Sequence, residues 1–209
     1  MKQGFGFKML KTAGAVLVAA VATGVQAAPP ADTGLITFDG AVSSTTCTLT
    51  TSNGISANNL TVSMPVVSKD EVEGTNLAQG VGSKTFELLL TNCPDIGGVS
   101  GTDPLQASIA FTSTQFVDLS NGTLHADPTV SGAAQNVNIA LYNNTATNTA
   151  QVKIGDPSDI ATAQAITMVN GAGSFAYRAA YVPGSSVSGI NPVTPGIVST
   201  NTTFTISYQ

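Results

Sequence analysis

The sequence has no tryptophan, a single histidine and two cysteines in 209 residues, and only 9% of it is charged. Each scarcity excludes something. Catalysis needs a nucleophile with a base, paired carboxylates or a metal. His125 is the lone imidazole, set in a Gly-, Asp- and Pro-rich segment, and reads as an isolated surface residue. The stretch Gly184-Ser-Ser-Val-Ser-Gly189 lacks the spacing of a nucleophile elbow. Asp70, Glu71 and Glu73 form a short acidic run of the kind that faces solvent, and Asp156 and Asp159 flank Pro157 as turn residues. Two cysteines and one histidine fall short of the four ligands of a structural zinc site, and the acid-Gly-Glu spacing of a calcium loop does not occur. The reading is therefore of a protein that is not an enzyme, with no cofactor and no metal.

Long apolar runs are also scarce. The one that stands out, 13–25, follows Lys2, Lys8 and Lys11 and ends in Val25-Gln-Ala27. A basic start, a short apolar stretch and small residues at the cut make a secretory signal peptide over 1–27, too short for a comfortable membrane span. Its removal leaves Lys69, Lys84, Lys153 and Arg178 against all twelve acidic residues, a formal charge of −8. Four scattered cations build no basic patch, so nucleic acid is excluded as a partner. Export also sets the state of Cys47 and Cys93. In an oxidising compartment they form a disulfide, closing a loop of about 45 residues and contributing roughly 4 kcal/mol in the chain-entropy model.

What is abundant is Gly, Thr, Ser, Asn and Val, the material of short strands and turns. Past the extended Ala28-Pro-Pro-Ala-Asp32, the segment 33–42 alternates, with Ile36, Phe38, Gly40 and Val42 on one face. Further strands are expected at 47–50, 60–64, 85–90, 107–111, 137–142, 151–154, 173–181 and 202–209. In the last, Phe204, Ile206 and Tyr208 share a face. Segment 69–79 reads as a solvated loop with room for one helical turn, 118–134 as hairpin and loop around Asn121-Gly122, and 182–195 as a surface connection. About eight short strands without a convincing helix make an all-β sandwich or barrel. Strand patterns do not report partners. The 33–42 strand could therefore be the first strand of its own fold or an arm that completes another domain.

Four motifs, taken in order, resemble the chaperone–usher pilins, of the major-subunit type found in type 1 and P pili. They are Gly34-x-Ile-x-Phe38-x-Gly40-x-Val42 ahead of Cys47, Phe86-x-Leu-x-Leu-x-x-Cys93, Phe175-Ala-Tyr-Arg-Ala-Ala-Tyr181, and a C-terminal Phe204-x-Ile206-x-Tyr208-Gln209 with Gly196 fourteenth from the end. The resemblance covers the chain from residue 28 onward; the long polar middle, 97–132, departs from compact family members. It implies an incomplete immunoglobulin-like β-sandwich, completed in trans by donor-strand complementation. The implied domains are a donor-strand extension at 28–45 and a pilin domain at 46–209. It further implies that Ile36, Phe38, Gly40 and Val42 form the donor strand. Gly196, Phe204, Ile206 and Tyr208 would form the C-terminal motif and groove read by chaperone and usher.

The implied function is a structural subunit of an adhesive surface fimbria, delivered by a periplasmic chaperone to an outer-membrane usher. Its partners would be identical or related pilin subunits, with a host-surface receptor as a further candidate, and its location the cell surface after passage through the periplasm. The alternative on the same fold is a minor or tip adaptor, or a lectin-like adhesin. Two-domain adhesins of such systems carry a receptor domain in place of the arm, and this chain has the arm and room for one domain.

Overall fold

The computed structural model of the chain describes residues 47–52, 59–93, 106–156, 159, 164–189 and 191–208. The signal peptide 1–27, the extension 28–45 with Ile36, Phe38, Gly40 and Val42, and the loop after Cys93 lie outside the described residues.

Among the described residues, ten strands form two antiparallel sheets, accompanied by one short helix. The strands are β1 (Thr48–Thr51), β2 (Val81–Thr91), β3 (Gln106–Thr112), β4 (Val117–Asp118), β5 (Thr123–His125), β6 (Val137–Asn143), β7 (Gln151–Val152), β8 (Ala165–Thr167), β9 (Gly173–Pro183) and β10 (Thr203–Tyr208), with α1 at Lys69–Glu73 between β1 and β2. The larger sheet runs β1-β2-β9-β6-β5-β4, with β7 also on β6; the smaller runs β10-β3-β8.

The register follows the alternation of the sequence. Leu88 lies opposite Phe175 and Phe86 opposite Tyr177 across β2 and β9, while Leu141 faces Ala179 across β6 and β9. Their inward side chains meet Ile109 and Phe111 of the smaller sheet, and Phe111 stands edge-on to Tyr177 with ring centroids 5.0 Å apart. Two facing sheets over one apolar layer are the sandwich that the strand pattern predicts.

The alternation fails on the outer face of β6 and β9. Every residue of β6 is buried, and Ala180 and Val182 of β9 are buried beside inward-facing Ala179 and Tyr181. The cover is a strap formed by residues 74–82. The Tyr142 hydroxyl donates to the Leu77 carbonyl at 2.7 Å, and the Arg178 guanidinium lies 4.1 Å from the Tyr142 ring centroid while donating to the Gln79 carbonyl at 2.9 Å. Gly80, at φ +63°, presses on β9; a Cβ there would sit 2.6 Å from that of Ala180. A small second apolar cluster of Ala140, Tyr142, Ala180 and Val182, with Leu77 against it, results.

The expected loop at 69–79 thus contains a capped helical turn as well as the strap. Ser68 accepts from the Glu71 amide at 3.2 Å while the Glu71 carboxylate accepts from the Ser68 amide at 2.8 Å, a reciprocal cap that satisfies the first free donors of the helix. Val72 is buried beneath it. Glu73 accepts from Lys69 at 2.7 Å and from the Val193 amide at 2.8 Å, so it ties α1 to the connection after β9. Segment 182–195, expected as a surface connection, in fact begins with the end of β9 and carries the buried Val182 and Val193.

Cys47 and Cys93 are disulfide-bonded, with Cα atoms 4.1 Å apart. The bond closes the end of the β1–β2 ladder, where Thr48 pairs with Thr91.

Candidate functional site: an uncovered apolar groove

β10 is laddered on one side only. Phe204 pairs with Phe111, Ile206 with Ile109 and Tyr208 with Ala107; among the described residues its other edge has no strand beside it. The segment 59–67, expected as a strand at 60–64, contains no ladder partner among the described residues either. Its Leu60, Val62, Met64 and Val67 are half-buried, and the residues between them are exposed. The period-two pattern is there, and the hydrogen-bonded neighbour is not.

These two walls enclose a cleft of about 540 Å³ floored by Leu88, Phe111, Ile139 and Leu141. Past Met64 and Val198, which line both, it continues into a second cleft of about 410 Å³ over Val72, Val137, Tyr181 and Val193. The floor is the sandwich core itself. No charged side chain lines the first cleft, and Lys69 alone lines the second. Such a surface suits apolar side chains and backbone pairing, not acid–base chemistry. Thr200, on the wall of the first cleft, has a buried hydroxyl without a hydrogen-bond partner.

Of the C-terminal motif, Phe204 lines the first cleft and Gly196 the second. Ile206 packs on the core further along β10, and Tyr208 is 37% exposed at its end, where burial pushes its hydroxyl above the ordinary value. The reason for glycine at 196 is close backbone approach. Ile197 donates to the Gly132 carbonyl at 2.8 Å and accepts from the Ala134 amide at 2.9 Å. A Cβ on Gly196 would lie 2.4 Å from the Ala134 nitrogen and 2.5 Å from the Gly132 oxygen. The donor-strand residues Ile36, Phe38, Gly40 and Val42 lie outside the described residues.

Sequence reasoning missed the opposite wall. The alternation of Leu60, Val62 and Met64 was its only signal, and it named a face without naming a partner. His125 ends β5 half-buried, edge-on to Phe116, with Nδ1 2.9 Å from the Ala126 carbonyl oxygen, and is therefore packed rather than free on the surface. Among the described residues no three metal-ligating side chains cluster. No described helix is long and apolar enough to cross a membrane.

Comparison with known proteins bears on the same features. The chain is 30% identical over 176 residues to the F17 fimbrial protein of Escherichia coli, covering 84% of this chain and 87% of that one. Its fold matches a subunit of a chaperone–usher pilus studied for rod uncoiling, at a TM-score of 0.55 and 22% identity, over 87% of this chain and 99% of the other. It also matches the P pilus rod subunit PapA, at a TM-score of 0.54 and 21% identity, over 78% and 99%. The fimbrial protein family model matches residues 36–209, a span that begins at Ile36 of the alternating N-terminal segment and runs through β10. The chain, with its incomplete immunoglobulin-like sandwich and open apolar groove, belongs to the fimbrial protein family.

Proposed function

We propose that this protein is a structural subunit of a chaperone–usher pilus and that it polymerises head to tail, the 33–42 arm of one copy filling the groove of the next. One observation carries the reading: the free edge of β10 and the unladdered segment 60–67 face each other across a cleft floored by core side chains. A strand laid between them gains ladder hydrogen bonds from the backbone and specificity from alternate side chains. Ile36, Phe38 and Val42 supply those side chains, and burying the three contributes roughly 5–8 kcal/mol before ordering costs. Gly40 sits where the arm passes too close to the floor for a side chain. A contact of this kind joins unlike surfaces and does not close, so it propagates as a filament.

Before assembly, the same edge is a liability that invites aggregation. A periplasmic chaperone strand covers it until the usher exchanges that strand for the next subunit's arm. The product is a surface fimbria serving adhesion.

The test is assembly in cells carrying the chaperone and usher genes. Removal of residues 28–42 leaves a chaperone-bound domain and abolishes fibres in negative-stain micrographs. Gly40→Leu does the same while leaving the disulfide-bonded domain folded. Fibres formed by the truncated chain would overturn the proposal.

A further inference from the structure

Of the large apolar side chains exposed on the described surface, Val66 is fully exposed and Ile197 is 55% exposed. Single exposed apolar residues are ordinary. These two are not scattered: both line the α1 end of the groove, Val66 from the 60–67 wall and Ile197 from the wall that leads to β10. A third, Val169, is 66% exposed on the turn 169–172. That turn is fastened to the disulfide. The Cys93 amide donates to the Gly171 carbonyl at 3.0 Å, and a Cβ on Gly171 would touch the Cys93 carbonyl oxygen at 3.0 Å. Val169 therefore belongs to the end of the molecule at Cys47, from which the arm departs.

We infer that Val66 and Ile197 of one copy dock against the Val169 turn of the copy that donates its arm, a body-to-body contact at the α1 mouth of the groove. The inference rests on the head-to-tail reading above and adds a surface to it. Every strand ladder described is antiparallel. An arm added antiparallel to β10 runs from the Tyr208 end toward Val198, and its C-terminal end leaves beside Val66 and Ile197. Four residues, five Cα steps, separate its last apolar side chain, Val42, from Cys47, a reach of at most about 18 Å. The donor's Cys47 end, with Val169 beside it, is thereby held at the α1 end of the acceptor's groove. Both sides are apolar and exposed in the single chain, and a second copy of this chain is the partner whose own arm delivers it there.

Two measurements separate this contact from the groove itself. One is the affinity of a fluorescent synthetic peptide, residues 28–46, for the mature chain. The other is the rate at which assembled polymers dissociate in denaturant. Val169→Asp lies away from the groove and Val66→Asp replaces a fully exposed side chain, so both variants are expected to fold. Val169→Asp should bind the peptide as the wild type does, and polymers of either variant should dissociate about tenfold faster or more. Combining Val66→Asp with Val169→Lys should restore slow dissociation, because the new charges are opposite. Wild-type dissociation rates in both single variants, with the peptide still bound, would overturn the contact and leave the groove reading standing. Loss of peptide binding by Val169→Asp would assign Val169 to the arm's own site and also overturn it. A wild-type chain that fails to bind the peptide would overturn both readings.

Discussion

β9 and β10 are written in the same pattern and meet opposite fates. Each alternates aromatic and aliphatic side chains along one face, Phe175-Tyr177-Ala179 in one and Phe204-Ile206-Tyr208 in the other. β9 has ladders on both edges, to β2 and β6, and Phe175 and Tyr177 are 0% and 1% exposed. β10 has one ladder, to β3, and Phe204 and Ile206 stay half-buried. Alternation decides which side chains face the core. The number of neighbouring strands decides whether they reach it. The difference between a strand that stabilises its own fold and one that awaits a partner lies in the edges, where no side-chain pattern records it.

The largest way to probe this contrast is to truncate a matched residue in each strand. Phe175→Ala should cost about 3–5 kcal/mol in denaturant titration, the usual price of emptying a filled core site. Phe204→Ala should cost about 2 kcal/mol in the unfilled domain, because its ring, 6.2 Å from that of Phe111, is only partly covered. Saturation with the 28–46 peptide should raise the Phe204→Ala cost toward that of Phe175→Ala and leave the latter unchanged. Equal costs with and without peptide would show that β10 is already complete.

A smaller effect is expected on the covered outer face. Arg178→Met keeps the stem over Tyr142 but removes the ring-stacked charge and the bond to the Gln79 carbonyl, and should cost about 1–2 kcal/mol. Faster hydrogen exchange confined to 74–82 would localise the loss to the strap.

The smallest expected effect concerns acid. Burial raises the Asp118 carboxyl, but hydrogen bonds from Ser120 and Ser185 together outweigh it and hold its pKa below the ordinary value. Asp118 also accepts from Asn138 at 3.1 Å, joining the β4–β5 hairpin to β6. A depressed folded pKa contributes stability above the unfolded value of about 3.9 and loses it as pH falls through the folded value. Asp118→Asn should therefore flatten the acid limb of the stability profile below about pH 4, with little change in its slope near neutrality. A limb as steep as that of the wild type would place the titration elsewhere.

Much of this fold was legible where apolar residues alternate. β3, β6 and the inward face of β9 fall where Ala107-Ile109-Phe111, Val137-Ile139-Leu141 and Phe175-Tyr177-Ala179 place them. The reading weakened where alternation gave way to a continuous run. Ala179-Ala-Tyr-Val182 is the signature of a strand buried on both faces, and it went unread because the covering strap is polar and Gly-rich in sequence. Val72 was hidden in the same way, a single apolar residue among Asp70, Glu71 and Glu73. Of the groove, the β10 wall was legible from Phe204 and Ile206. Segment 60–64 was read as a strand from its alternation, but it has no ladder among the described residues, and its place as half of a site depends on chain topology across more than a hundred residues before β10.

The disulfide has a mechanical consequence. In a filament whose links are arms, any pull along the fibre enters each subunit at Cys47. Without the bond, that load would meet β1 first, a four-residue strand laddered among the described residues to β2 alone, and would peel its ladder open one pair at a time. With Cys47 joined to Cys93, tension bypasses β1 and passes directly into the end of β2, whose eleven residues are flanked by β9. The force is then borne by many hydrogen bonds in shear rather than a few in sequence. In such a filament the covalent link would act as a strain relief, placed where the arm meets the folded body.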